Sequence, residues 1–361
     1  MTRQIKVGKV KIGGGAPVSV QSMVKTETTK VQSVIKEIKA LEDVGCEIVR
    51  LAVKDNKGAS CLKKIKSSVN IPIVADIHYD YRLALLAIEN GVDKIRLNPG
   101  NIYKKEHVFE VARHAKKNRI PIRVGVNSGS LKTQDTRHKT QDTRHKSQDT
   151  SHKSQVDIMV KSALDYIKLL EKAGFYDIIV SLKASDVLMT IDAYRKFSKA
   201  SDYPLHLGVT AAGPKSSGLV KSSIGIGVLL LEGIGDTIRV SLTGNSSSEV
   251  MAAQNILQAI NLRRFYPEII SCPTCGRCQV DLSQIVAKVE ERITDYGLRV
   301  TGKKNPKIAI MGCEVNGPGE AKEADFGIAF GKGAGVLFKK GKIIKRIEEK
   351  DTIKTLLRYL G

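Results

Sequence analysis

The feature that most constrains this 361-residue chain is a regular alternation of strand-like and helix-like segments across residues 1–265. Short apolar runs at Val18–Met23, Glu47–Ala52, Ile73–Asp76, Lys94–Leu97, Ile122–Val126, Asp177–Ser181, Leu205–Val209 and Thr237–Val240 predict eight strands. Amphipathic stretches between them, among them Val31–Val44, Tyr81–Asn90, His107–Asn118, Asp157–Ala173 and Asp186–Ala200, predict helices. Gly45, Gly91 and Gly174 close three of these stretches, as a left-handed helix cap requires. No dinucleotide-binding glycine fingerprint follows the first strand, so an open nucleotide-binding sheet is not indicated. The pattern predicts an α/β fold, a (β/α)8 TIM-type barrel, with its chemistry at the C-terminal edge of the strands.

One segment breaks the alternation. Thr133–Lys153 is three tandem heptads, TQDTRHK, TQDTRHK and SQDTSHK, with no apolar residue among them. No coiled-coil seam can form from it, and residues 133–155 are expected to be a low-complexity surface loop. The periodic His138, His145 and His152 resemble a metal-binding tract, but a duplicated solvated loop is the simpler reading. After Pro267 the pattern changes to a cysteine cluster, a helix at 282–296, short strands at 307–311, 326–329, 335–338 and 342–347, and a last helix at 352–359. Residues 266–361 are thus expected to be a second, α+β domain.

The formal charge of +22 raises the possibility of nucleic-acid binding. The basic residues are interspersed with acids, however, and no RNA-reading aromatic motif accompanies them, so nucleic acid is not expected as a partner. No apolar run is long enough to span a bilayer and no secretory leader is evident, which predicts a cytoplasmic protein. In that compartment the six cysteines are expected to be metal or redox ligands, not disulfides.

The strongest chemical pattern is Cys272-x-x-Cys275-x-x-Cys278 together with the remote Cys313. Thiolates at i and i+3 in a Pro/Gly loop can turn toward one metal centre, and both an iron–sulfur cluster and a structural zinc use that spacing. Cys46 and Cys61 are expected to be small buried hydrophobes. A second pattern is the set of polar residues at or close to barrel strands: Arg50, Asp76, His78, Arg96, Asn98, Asn101, Arg123, Asn127, Lys183, His206 and Arg239. Four of these are arginines from different strands, and guanidinium groups hold phosphate in a bidentate manner, so a diphosphate ligand fits. A third is Lys215–Ser223, rich in Gly and hydroxyls, whose Ser217 and Gly218 open a helix late in the barrel, where phosphate is often held.

These residues resemble one family, the bacterial 4-hydroxy-3-methylbut-2-enyl diphosphate synthases. The resemblance runs through Ala75-Asp76-Ile77-His78, Arg96-Leu97-Asn98-Pro99-Gly100-Asn101, Gly125-Val126-Asn127-Ser128-Gly129, Ser271-Cys272-Pro273-Thr274-Cys275 and Gly312-Cys313-Glu314-Val315-Asn316-Gly317-Pro318-Gly319-Glu320. It implies a barrel followed by a small sulfite-reductase-like domain that carries one 4Fe–4S cluster. By motif, the cluster ligands correspond to Cys272, Cys275, Cys313 and Glu320, with Glu320, Asp76 and His78 as catalytic residues. The resemblance further implies 2-C-methyl-D-erythritol 2,4-cyclodiphosphate as substrate, ferredoxin or flavodoxin as electron donor, and a homodimer. The chain departs from the family pattern at Cys278, an extra cysteine; at the heptad repeat; and at Ala211, where the family carries an acid in the motif His206–Gly213. The last departure leaves a catalytically impaired member as one alternative function; the charge and the C-x2-C spacing leave a basic zinc- or nucleic-acid-binding protein as the other.

Overall fold

The computed structural model describes residues 1–130, 147–295, 305–313, 321–331 and 333–360. They divide into two compact units, Met1–Arg263 and Arg264–Gly361.

The first unit is a barrel of eight parallel strands: β3 (Ser19–Met23), β4 (Ile48–Val53), β5 (Ile73–Ile77), β6 (Lys94–Leu97), β7 (Ile122–Asn127), β8 (Ile178–Lys183), β9 (His206–Leu207) and β10 (Thr237–Ile238). Their order is β8-β7-β6-β5-β4-β3-β10-β9. A parallel bridge between Val180 and Leu205 brings β9 back to β8. The Val180 N–H donates to Pro204 O at 2.9 Å and the Thr210 N–H to Ala184 O at 3.0 Å, so backbone hydrogen bonding continues around the ring. The strands are short and buried on both faces, which is why they read as apolar runs and not as alternating ones.

The crossover helices are α1 (Val31–Asp43), α2 (Asn56–Lys66), α3 (Tyr81–Glu89), α4 (Lys105–Asn118), α5 (Ser147–Lys172), α6 (Val187–Ala200), α7 (Lys215–Leu231) and α8 (Ser246–Ala259). Each lays an apolar stripe on the barrel, as α1 does with Val34, Ile35, Ile38 and Leu41. Short polar residues start several of them: Asp55 accepts the Gly58 N–H at 2.8 Å and Asp186 the Met189 N–H at 2.6 Å. The expected glycine caps hold, with positive φ at Gly45, Gly91 and Gly174.

Some elements differ from those expected, and a strand at Glu268–Ser271, described below, was not expected from the sequence. An antiparallel hairpin of β1 (Ile5–Val7) and β2 (Val10–Ile12) packs Ile5, Val7 and Ile12 against Ile48, Val74 and Ile179, near the starts of barrel strands. It closes the N-terminal mouth with an apolar plug; its sequence, IKVGKVKI, alternates apolar residues with lysines and so sends one face to the barrel and the other to solvent. Helix α2, expected after the second barrel strand but given no bounds from the sequence, has a stripe of only Ala59, Leu62 and Ile65 among lysines. A correction concerns the repeat: residues 147–155, expected in a loop, form the first turns of α5, and the His152 ring lies 3.1 Å from Asp192 of α6. Residues joined to a long amphipathic helix extend it even when they are themselves polar, because propagation costs less than nucleation. The first part of the repeat, 133–146, lies outside the described residues.

The second unit has a five-stranded sheet in the order β11 (Glu268–Ser271), β12 (Lys307–Met311), β13 (Phe326–Gly331), β14 (Ala334–Lys339), β15 (Lys342–Ile347). The first three strands are parallel and the last two antiparallel. Ile308 and Ile310 of β12 pack with Leu282, Ile285, Val289 and Ile293 of α9 (Leu282–Asp295) and with Leu356 of α10 (Thr352–Leu360). Ala309 and Met311, one residue out of phase, pack on the other face with Ala329 and Phe338.

Candidate active site and cysteine centre

Within the barrel, period-two alternation along each strand sends every second side chain inward. The inward positions carry six basic side chains: Arg50 on β4, Lys94 and Arg96 on β6, Arg123 on β7, Lys183 on β8 and Arg239 just after β10 are buried or nearly so. Two acids face them. Asp76 on β5 lies 3.2 Å from Arg96 and 3.6 Å from Arg50, with the half-buried His78 ring 3.6 Å away. Glu249 on α8 accepts the Leu242 N–H at 3.0 Å and lies 3.0 Å from Lys25 and 3.7 Å from Arg239.

Two carboxylates cannot neutralise six cations, and the ionisation of the groups reflects it. Burial opposes ionisation of Asp76, but Arg50, His78, Arg96 and Arg123 outweigh burial and hold its carboxyl far below the usual carboxylate range. Burial, then Arg123 and its neighbouring guanidiniums, pushes Lys94 and Lys183 well below the ordinary lysine value. Burial and then Lys183 and Arg123 do the same to His206, which is neutral at pH 7. Arg239 is lowered to about 10, mainly by burial and Arg50. Arg96 Nε, Arg123 Nε and Nη1, Arg239 Nε and both ring nitrogens of His206 are buried without a hydrogen-bond partner. Unmet buried donors cost about 1–3 kcal/mol each, more when charged. A ring short of negative charge and rich in unmet donors is built for an anion.

Local backbone serves this ring. A Cβ on Gly125 would come within 2.5 Å of Arg96 Nε, so glycine is the residue that lets the Arg96 guanidinium lie across β7 and donate to Gly125 O at 2.9 Å. Asn98 is buried but engaged in its own turn, accepting from the Gly100 N–H at 3.1 Å and from Ser130 Oγ at 3.4 Å. Asn127 ends β7 in register with Lys183. Ser217 is exposed in the first turn of α7, whereas Gly218 is a packing position: a Cβ there would come within 2.8 Å of Leu242 and 3.0 Å of Gly213 O. Beside Arg239, a cavity of about 340 Å³ is lined by Lys25, Thr26, Thr28, Lys54 and Asp55. Lys25, Lys94 and Glu249 were not foreseen. Lys94 was within reach, since it precedes Arg96 by two residues on a strand already assigned; nothing in the local sequence points to Lys25 or Glu249.

In the second unit, β11 and β12 pair in parallel, with Ser271 beside Ile310, so Cys272 and Cys313 leave the same end of adjacent strands. That pairing unites cysteines far apart in sequence. The Gly312 N–H donates to Cys272 Sγ at 3.2 Å, the Cys278 N–H to Cys275 O at 2.9 Å and the Gln279 N–H to Gly312 O at 2.8 Å. Cys275 is exposed, while Cys272 and Cys278 are half-buried. A Cβ on Gly312 would overlap Cys278 Sγ and lie 3.5 Å from Cys272 Sγ, so both sulfurs gather at a hollow that only glycine leaves open. Soft thiol donors around a side-chain-free backbone fit an iron–sulfur cluster. Among the described residues no three metal-binding side chains already converge. Glu320 lies outside the described residues. Cys46, by contrast, is buried with its thiol pushed up to about 12 by burial, an inert core residue as expected; Cys61 is only half-buried.

Comparison with known proteins agrees with both units. The GcpE TIM-barrel domain matches residues 2–254 and the GcpE protein C-terminal domain residues 268–361. The chain is 51% identical over 360 residues to the 4-hydroxy-3-methylbut-2-en-1-yl diphosphate synthase (flavodoxin) of Fusobacterium nucleatum, covering 100% of this chain and 97% of that protein. It is 52% identical to the enzyme of the same name from Thermodesulfovibrio yellowstonii, covering 99% and 98%. Among solved structures, the barrel resembles dihydropteroate synthase from Stenotrophomonas maltophilia (TM-score 0.51, 13% identity, 72% of this chain and 98% of that one), a likeness of fold alone. Family matches across both units and half-identity over the whole length place this chain in the GcpE family of 4-hydroxy-3-methylbut-2-en-1-yl diphosphate synthases, which are oxidoreductases.

Proposed function

We propose that this chain reductively opens 2-C-methyl-D-erythritol 2,4-cyclodiphosphate to 4-hydroxy-3-methylbut-2-enyl diphosphate, the linear allylic diphosphate of non-mevalonate isoprenoid synthesis. The observation that carries the reading is the ring of buried guanidiniums with unmet donors, Arg96, Arg123 and Arg239, beside Arg50 and Lys183. A diphosphate would meet those donors and supply the missing negative charge. Arg50, Arg96, Arg123, Lys183 and Arg239 bind it; Asn98, Asn127, Ser217 and Gly218 are assigned to the surrounding substrate site. Asp76 holds Arg50 and Arg96 in place, and the half-buried His78 ring, 3.6 Å from its carboxylate, serves as a proton donor.

A 4Fe–4S cluster, held by Cys272, Cys275, Cys313 and Glu320, would supply electrons one at a time to break the ring C–O bond. Glu320 is a hard oxygen ligand among thiolates and so the labile one, which suits it to a catalytic role. Flavodoxin, which the relatives' names specify, is the proposed donor, with ferredoxin as the other carrier of the class. Among the described residues no helix is long and apolar enough to cross a membrane, and we assign the enzyme to the cytoplasm as a homodimer.

The test is steady-state turnover of the cyclic diphosphate by anaerobically purified protein with a chemical reductant. Wild type should turn over, and Arg123→Ala should weaken substrate affinity by about 1.5–3 kcal/mol, the worth of a charge-assisted hydrogen bond. Tight binding without turnover would instead mark the non-catalytic family member that Ala211 makes the alternative. Unchanged affinity in Arg123→Ala would remove the ring from the substrate site.

A further inference from the structure

The carboxylate of Glu249 is buried beside the cationic ring, yet it gives the ring no hydrogen bond, because its two oxygens are used unequally. Oε1 accepts the Leu242 N–H at 3.0 Å and lies 3.0 Å from Lys25 Nζ. Oε2 has no hydrogen-bond partner and lies 3.7 Å from Arg239 Nη2, while Arg239 Nε is likewise buried and unmet. At that separation the two attract by charge but are too far apart for a hydrogen bond.

Several elements fix this arrangement. Glu249 comes from α8, Lys25 follows β3, and Leu242 and Gly244 lie between β10 and α8. Lys25 Nζ also donates to Leu242 O at 3.2 Å and to Gly244 O. Glu37 on α1 ties the same segments together, accepting the Lys25 N–H at 2.9 Å, the Thr26 N–H at 3.1 Å and Ser246 Oγ at 3.0 Å. The Arg239 backbone is pinned separately, its N–H donating to Leu207 O at 3.0 Å. The backbone thus fixes where Arg239 starts, and a neighbour has only the direction of the side chain to set. Oε1, engaged twice, keeps the carboxylate from turning onto Arg239.

We propose that Glu249, clamped by Lys25 and the Leu242 N–H, is a positioning residue for Arg239: it draws the guanidinium to its side of the ring by charge and leaves the N–H groups free for an anionic ligand. This rests on the anion-binding reading of the ring given above. A direct hydrogen bond would aim the guanidinium too, but it would consume a donor that the ligand needs. Short-range attraction in a buried site restricts the side chain before the ligand arrives, so less freedom is lost on binding. Glu249 itself touches no ligand. As a bare negative charge it would repel an anion, so positioning and simple repulsion predict effects of opposite sign when the charge is removed.

The test is a double-mutant cycle on full-length protein purified without oxygen. Pyrophosphate binding is measured by isothermal titration calorimetry, with circular dichroism and melting temperature to show that each variant folds. Glu249→Gln keeps an acceptor for Leu242 and Lys25 and removes the charge. It should weaken pyrophosphate binding about five- to ten-fold when Arg239 is present, and by less than about two-fold in an Arg239→Ala background, the signature of an effect transmitted through one partner. Lys25→Met frees Oε1, lets the carboxylate turn onto Arg239, and should weaken binding in the same Arg239-dependent way; it carries the test if Glu249→Gln does not fold. With the cyclic diphosphate and a chemical reductant, Glu249→Gln should raise KM more than it lowers kcat, as loss of uniform binding does. Tighter pyrophosphate binding in Glu249→Gln, equal weakening with and without Arg239, or a lowered kcat at unchanged KM would each overturn the proposal. Pyrophosphate binding as tight in Arg239→Ala as in wild type would instead remove Arg239 from the anion site, and with it the reading on which the proposal rests.

Discussion

Ala211, where the sequence resemblance implies an acid, sits in an unusual conformation. Its φ is +50° in an exposed turn after β9, a region that costs any L-residue other than Asn or Asp roughly the same strain. Glutamate should therefore be accommodated without loss of stability. Ala211→Glu is expected to raise turnover with little change in substrate affinity, because proton delivery matters in the transition state and not in the ground state. General acid–base groups are worth about 10²–10⁴-fold, so partial recovery is measurable. Unchanged turnover would show that another group already supplies the proton. His206 offers a second residue-scale test. Its folded value is depressed, so above the unfolded imidazole value of about 6.5 both states are neutral and its full stability is present. As pH falls below that point the unfolded chain takes up a proton that the folded protein refuses, and stability drops. Asp76 acts in the same direction but only below about 3.9, its unfolded value. The melting temperature should thus decline between pH 7 and 5 in wild type and decline less in His206→Gln; parallel curves would show that His206 is not the cause.

Elements, not single residues, determine where these groups stand. β6 and β7 lie side by side with Arg96 beside Arg123, and the glycine two residues on in β7 lets the first guanidinium cross to the second strand. Gly125→Ala puts a methyl 2.5 Å from Arg96 Nε and must displace either the side chain or the strand. The expected result is a substrate affinity at least ten-fold weaker, with a destabilisation of about 1–3 kcal/mol typical of an overpacked core. Normal affinity with lowered stability would mean that Arg96 adjusts and is not a precise phosphate ligand. At the cysteine centre the same logic runs through β11 and β12: parallel pairing, not sequence proximity, brings Cys272 to Gly312.

At the scale of the molecule, two units with separate cores should melt separately. The barrel core is built from its strands and crossover helices, while the second unit packs α9 and α10 on its own sheet. Inorganic pyrophosphate should bind the barrel's cationic ring alone. It should raise only one of two calorimetric transitions, by about 2.7 kcal/mol of stability at a hundred times its dissociation constant. A single transition that shifts as a whole would show the units to be thermodynamically coupled. The excess of cations carries a further prediction at this scale. Its +22 favours encounter with an acidic electron carrier, and such encounter rates fall with ionic strength.

The amino-acid sequence by itself determined the succession of elements and the motifs that carry the family. Burial on both faces makes barrel strands apolar runs, and caps such as Asp186 mark where helices begin, so strand β6 lies at the bounds expected for it. The motifs around Asp76, Arg96, Cys272 and Cys313 were legible because they are local in the chain. Only the tertiary structure decided what depends on contacts between distant segments. The β1–β2 hairpin is a plug because Ile48, Val74 and Ile179 await it, not because its own sequence is apolar. Glu249 belongs to the site because α8 returns to Arg239 and Lys25, and Lys94 is cationic interior because β6 is enclosed by the ring. The last heptad of the repeat is helical because α5 extends into it. Side-chain spacing along the chain records what one element buries; what that element is buried against is recorded only where the chain folds back on itself.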